Sequence, residues 1–138
     1  MSDLGEKIVE QARSYKGTKW RHLGRGRGGL DCVGLITAVA YDLGICDYTP
    51  IPYTRNTRPE TMVAQFKLFC YQVNIKDAKP GDIALFYTGH RGHCGFFTGN
   101  SLIHSYFDQK KVVESDWKSF INQDNRIMKL SAMFRFRE

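Results

Sequence analysis

The sequence predicts an α+β domain, with helices first and an antiparallel sheet after them. Two observations carry this. Through the first half, apolar residues recur with helical spacing, and Gly17 and Gly44 close two of the runs. From Asp77 onward the apolar runs become short and strand-like, punctuated by Ala78-Lys79-Pro80-Gly81-Asp82 and by Gly99-Asn100. Helices at one end of a chain and strands at the other form the α+β pattern.

Taken in order, residues 3–15 place Leu4, Ile8, Val9 and Ala12 on one helix face, with Ser2 or Asp3 positioned to cap it and Gly17 to end it. The run Gly24-Arg25-Gly26-Arg27-Gly28-Gly29 reads as a flexible basic loop. Cys32 to about Leu43 is a second helix, apolar at Val33, Leu35, Ile36, Val39, Ala40 and Leu43, and so broad an apolar surface marks a buried helix. Residues 45–57, with Pro50 and Pro52, form a loop. Pro59-Glu60-Thr61 opens a third helix reaching about Tyr71, with Met62, Phe66 and Phe69 inward. Strands are expected over 83–88, 93–98, 102–107, 111–115 and 126–137. Gly99-Asn100 fits a two-residue hairpin turn with glycine first.

A chain of 138 residues has room for one domain and one modest core, here taken as 1–138. Its 42% apolar and 25% charged residues are ordinary for a globular protein and exclude a disordered chain. The longest apolar run falls well short of the roughly 20 residues of a membrane span. The opening MSDLGEKIVEQARSYKG lacks the basic flank and continuous apolar centre of an export signal, so synthesis in the cytoplasm is expected. Cys32, Cys46, Cys70 and Cys94 are scattered without a CxxC pair and are expected to be free thiols. A net charge of +6 and a pI near 9.2 favour anionic partners. The basic residues are nevertheless spread along the chain, the pattern of a generally solvated surface.

Cys32 stands where the glycine run stops and the second helix starts. Unpaired N–H groups and the positive end of the helix dipole stabilise a thiolate there, and helix-start cysteines reach pKa values of roughly 3.5–7.5. Gly29 and its neighbours leave a substrate room to approach the sulfur. A small buried apolar residue fits the same position equally well.

A nucleophilic cysteine also needs an imidazole, and the imidazole an orienting partner. His22 and His90 fall in loops, where surface positions are expected. The hairpin turn relates the other two histidines. With Thr98 paired to Ser101, Gly95 lies opposite His104 and His93 opposite Tyr106. These four then share one face, with the histidines as diagonal neighbours roughly 7–8 Å apart. Cys94, Phe96, Ile103 and Ser105 take the other face, as core. A slip of one residue would separate the histidines.

LDCVGLI, KPGDIALF, HCGFFTG and LIHSY, in that order and covering about Gly17 to Tyr106, resemble the NlpC family of papain-like cell-wall cysteine peptidases. The resemblance implies a papain-like fold, no cofactor, Cys32 as nucleophile, His93 as general base and acid, and His104 as the residue orienting His93. It also puts Asp31, Trp20 and Gly29 at the substrate. Trp20 stands where family members often carry a tyrosine near the oxyanion site, which leaves the backbone N–H of Cys32 as oxyanion donor. Family Asp-Cys-Ser peptidases hold a substrate's free amine with the aspartate and serine, and Val33 replaces that serine here. GTKWRHLGRGRGGLDC further looks like the form found in phage tails and related particles. That implies a particle-associated enzyme opening the wall locally, with peptidoglycan stem peptides as substrate and tail proteins as partners.

The reaction so implied is hydrolysis of the D-γ-glutamyl to diaminopimelate bond of the stem peptide. An N-acetylmuramoyl-L-alanine amidase of the same chemistry is the alternative. A non-catalytic tail or wall-binding component is a reading of another class. Metal binding through His90, His93, Cys94 and His104 finds no structural-zinc spacing, and Cys94 alternates away from His93 along a strand, so no metal is expected. Nucleic-acid binding through Arg25 and Arg27 lacks a preceding strand and an aromatic platform.

Overall fold

The computed structural model describes residues 3–46, 57–88, 91–121 and 129–138. Helix α1 (Leu4–Arg13) buries Ile8, Val9 and Ala12, as its spacing predicts. Asp3 occupies the N-cap position, but its side chain makes no capping bond. The helix ends before Gly17, whose φ of +91° turns the chain.

The glycine run is not a flexible loop. It forms a small antiparallel hairpin, β1 (Arg25–Gly26) and β2 (Gly29–Leu30), with Arg25 opposite Leu30. Its glycines permit close backbone packing: a Cβ on Gly24 would collide with the Gly29 carbonyl, and one on Gly34 with the Gly24 carbonyl. Helix α2 (Cys32–Asp42) is the expected buried helix, with every residue from Gly34 to Ala40 buried. Gly44, at φ +69°, follows its end.

Helix α3 is shorter than its apolar spacing suggests. It spans Pro59–Phe66 and buries Met62 and Phe66, and the chain then extends as strand β3 (Cys70–Val73). Cys70 lies opposite Phe136 and Val73 opposite Met133 of the last strand. Pairing with a distant strand overrides a helical pattern that these residues equally satisfy.

The remaining strands are β4 (Ile83–Thr88), β5 (Arg91–Phe97), β6 (Ser101–Tyr106), β7 (Lys111–Asp116) and β8 (Lys129–Phe136). Residues 126–128 of the expected last strand, residues 47–56 of the expected loop, and His90 lie outside the described residues. The six-stranded sheet has the order β3-β8-β4-β5-β6-β7, so the last strand inserts between β3 and β4. Helices α1, α2 and α3 cover one face, over Leu85, Cys94, Phe96, Ile103 and Phe134. The other face buries Phe86, Phe97 and Leu102 under Phe120 of a short helix, α4 (Trp117–Ile121), that the sequence pattern did not suggest. No helix among the described residues is long and apolar enough to cross a membrane.

Two turns fix the frame around the site. Gly81, at φ +96°, donates its N–H to the Phe97 carbonyl at 2.8 Å. Asp82 beside it is buried and receives Nε and Nη2 of Arg135, each at 2.8 Å. At the hairpin, Thr98 N–H donates to the Ser101 carbonyl at 3.0 Å, and Phe97 faces Leu102 and Phe96 faces Ile103. This is the register that the glycine-first turn predicts. Continued by one pair it sets Gly95 against His104, and a Cβ on Gly95 would lie 2.7 Å from the His104 Cβ.

Candidate active site

Helix α2 begins at Cys32 because Asp31 caps it. Asp31 Oδ1 accepts the Gly34 N–H at 2.7 Å, and the Asp31 carbonyl accepts from Leu35 at 3.0 Å. Oδ2 accepts the Leu23 N–H at 2.8 Å and so ties down a leucine at φ +62°, a backbone region that non-glycine residues rarely enter. An Arg25 guanidinium nitrogen stands 3.5 Å from Oδ1, and His22 Nδ1 stands 4.0 Å from Oδ2. Asp31 is 4% exposed, with both carboxylate oxygens engaged within the chain. Ser105, on the core face of β6, donates to the Leu30 carbonyl at 2.5 Å. That bond fastens the start of α2 to the strand that carries His104.

The Cys32 thiol is lowered to about 5. The chief cause is the Cys94 S–H, which donates to the thiolate. Burial opposes it, His93 adds a hydrogen bond and charge, and Asp31 works against it. The Cys94 thiol is pushed the other way, by burial first and then by the neighbouring Cys32. The proton therefore stays on Cys94 and the negative charge on Cys32.

Behind the thiolate, His93 Nε2 lies 2.7 Å from His104 Nδ1, and His104 Nε2 lies 2.9 Å from the Ser115 hydroxyl. His104 is fully buried, and burial, followed by the charge of His93, holds it well below the usual imidazole value. Tyr106 stacks on the His104 ring at 4.7 Å, and Phe120 meets it edge-on at 5.0 Å. Aromatic packing thus fixes the angle of the inner ring. The cleft in front is lined by Cys32, His93, Trp20, His22, Val33 and Arg91, with Asp31, Tyr106, Phe107 and Asp108 among its further walls.

No family model matches the chain. Murein DD-endopeptidase MepS/murein LD-carboxypeptidase of Escherichia coli (strain K12) is 23% identical over 135 residues, covering 94% of this chain and 66% of its own length. Among solved structures, NlpC1 from Trichomonas vaginalis superposes with a TM-score of 0.75 at 20% identity, over 99% of this chain and 45% of its own. The fold is that of NlpC/P60 cell-wall peptidase domains. An N-acetylmuramoyl-L-alanine amidase from Bacteroides uniformis also superposes with a TM-score of 0.75, at 11% identity, over 99% of this chain and all (100%) of its own. The chain thus spans under two thirds (66%) of MepS and under half (45%) of NlpC1.

Within this NlpC/P60 fold, Cys32, His93, Asp31 and Trp20 meet at the cleft, and His104 stands behind His93. Gly29 is elsewhere. It lies beneath Arg21, whose Cβ a methyl group there would approach to 2.5 Å, and it is not among the residues lining the cleft.

Two expectations are extended by the structure. His22 lies in a turn, as expected, with its side chain 35% exposed, but it also faces the cleft. The segment bridges to β7 and β2 through Lys19–Lys111 and Trp20–Leu30, so Lys19 and Arg21 point to solvent while Trp20 and His22 turn to the cleft. Cys94 is core, as expected, but α2 packs on its face of β5 and brings the Cys32 thiol to it. The contact of Cys94 with Cys32 and that of Ser115 with His104 escaped the sequence reading. The signal for Ser115 was its diagonal position from His104: Leu102 faces Ser115 and His104 faces Val113.

Proposed function

We propose that this chain is a cysteine peptidase that hydrolyses peptidoglycan. One observation carries the proposal: a thiol lowered to about 5 at a helix start, beside an imidazole whose far nitrogen is 2.7 Å from a second, buried histidine. The likeness to MepS and to NlpC/P60 domains supports the substrate class.

Cys32 attacks the carbonyl carbon of the scissile amide as a thiolate. The first-turn N–H of Cys32, which has no acceptor within its own helix, donates to the developing oxyanion. His93 delivers a proton to the departing amine, leaving an acyl-enzyme. His93 then takes a proton from water, whose attack releases the acid and restores the thiolate. His104 orients His93, and Trp20 and Asp31 flank the substrate.

The bond we favour is D-γ-glutamyl to diaminopimelate, on the resemblance of the LDCVGLI, KPGDIALF, HCGFFTG and LIHSY segments. A second reading, N-acetylmuramoyl-L-alanine amidase, is favoured by the end-to-end superposition on the Bacteroides uniformis amidase, which shares the whole length of both chains. The workplace we favour is a phage tail or related particle acting on the bacterial wall, on the resemblance of GTKWRHLGRGRGGLDC.

Digestion of defined muropeptides, read by mass, tests these readings together. An endopeptidase leaves a dipeptide on the sugar, whereas an amidase releases the whole peptide. Cys32→Ala and His93→Ala should each abolish cleavage about as completely as the double variant, because the two act as one unit. A folded Cys32→Ala protein that still cuts would sink the proposal.

A further inference from the structure

His104 has one proton to place and two partners to satisfy. Its Nδ1 is 2.7 Å from His93 Nε2 and its Nε2 is 2.9 Å from the Ser115 hydroxyl, while the ring itself is fully buried and neutral. If the proton sat on Nδ1, His104 would donate to His93 Nε2. That nitrogen would then carry a lone pair and the His93 proton would sit on Nδ1, facing the sulfur, so His93 could not accept a proton from Cys32. If the proton sits on Nε2, His104 Nδ1 accepts from His93 Nε2–H. The other His93 nitrogen is then free to exchange a proton with the thiol. Whenever His93 holds the cysteine's proton, both its nitrogens are N–H donors and only the second arrangement survives.

We propose that Ser115 is a positioning residue that supports the productive tautomer of His104 by accepting its Nε2–H, and through it keeps His93 competent to serve Cys32. Geometry supports the choice of residue. Ser115 lies diagonally across the β6–β7 ladder from His104, two pairs along from Val113 and so on the same face, where its short side chain reaches the ring edge. An apolar residue there would leave a buried N–H unpaired, which costs about 1–3 kcal/mol and is relieved by moving the proton to Nδ1. This is the wrong tautomer.

The inference rests on Cys32, His93 and His104 acting as proposed above, so its test has one arm that needs no substrate. In protein with nitrogen-15-labelled histidine, NMR should show the His104 proton on Nε2 in the wild type and in Ser115→Thr. In Ser115→Ala it should move wholly or partly to Nδ1. In the second arm, Ser115→Ala should lose roughly 10–100-fold in kcat on a muropeptide, the scale of removing a residue that orients a functional histidine. KM should be little changed, and Ser115→Thr should recover most of the loss. A Ser115→Ala protein with His104 still protonated on Nε2 overturns the proposal, as does a wild type protonated on Nδ1. A tautomer that responds as expected in a protein that cuts no muropeptide upholds the Ser115 assignment and defeats the hydrolase reading instead.

Discussion

Replacing Cys94 by valine should raise the Cys32 pKa while leaving the fold intact. Cys94 is fully buried against α2, and its S–H is the largest influence lowering Cys32 to about 5. A hydrogen bond to a charged group is worth about 1.5–3 kcal/mol. At about 1.36 kcal/mol per pKa unit, its loss moves Cys32 up by roughly 1–2 units, to between about 6 and 7. Valine is apolar but larger than cysteine by roughly a methyl group, so a stability loss of about 1–3 kcal/mol from overpacking accompanies it. Cys94→Ser keeps a donor and should keep the thiolate.

The assay is alkylation of Cys32 by iodoacetamide as a function of pH, with labelled peptides separated by mass. At pH 5.5 the thiolate fraction of Cys94→Val should fall by roughly 3- to 25-fold relative to wild type, from the same 1–2 unit shift. Cys70 gives an internal control, since burial pushes its thiol up to about 12 and it should not react in this range. That control rests on its place in β3, not in the last turn of a helix, where the apolar spacing had put it. An unchanged midpoint in Cys94→Val, or an equal rise in Cys94→Ser, refutes the reasoning and leaves His93 and the helix end as the stabilising groups.

Three further outcomes follow from the same geometry. Glu114 is held at about 2, chiefly by Arg13, against an ordinary 4.5, a difference worth roughly 3 kcal/mol. The Arg13 and Lys16 side chains are each 48% exposed, so about 1–2 kcal/mol is expected. Because the folded-state value is depressed, this stability is present above pH 4.5 and lost as pH falls from there through 2. The urea midpoints of wild type and Glu114→Gln should therefore differ at pH 7 and converge near pH 2, and an equal gap at both would count against the pairing. Asp82→Ala removes the buried acceptor of the two-point Arg135 bond and should cost about 2–4 kcal/mol in urea unfolding, reduced from the fully buried case because the Arg135 side chain is 27% exposed. Gly95→Ala should cost about 1–3 kcal/mol through overpacking, since its Cβ would stand 2.7 Å from the His104 Cβ and 2.8 Å from the Ile103 carbonyl oxygen. It should also lower kcat by shifting His104, and a fully active, equally stable variant would show that the β5–β6 register is wrong.

What the sequence by itself determined was whatever depends on near neighbours in the chain. The apolar breadth from Val33 to Leu43 required a buried helix starting at Cys32, although that Asp31 caps it was seen only in the structure. The glycine-first turn at Gly99-Asn100 set the register, and side-chain alternation then placed His93 and His104 on one face. Each inference uses backbone geometry over a few residues, which is local and therefore readable.

The tertiary structure decided whatever depends on residues far apart in the chain. Cys70–Val73 is a strand only because β8, some sixty residues later, pairs with it. The glycine run is ordered because α2 packs over it through Gly34. Cys94 meets Cys32 because α2 lies on that face of β5, and Ser115 meets His104 because β7 pairs with β6 in one register and no other. The side chains that tune the site, unlike those that announce it, are common residue types with no local signature, and only the packing of the helices on the sheet gives them their chemistry.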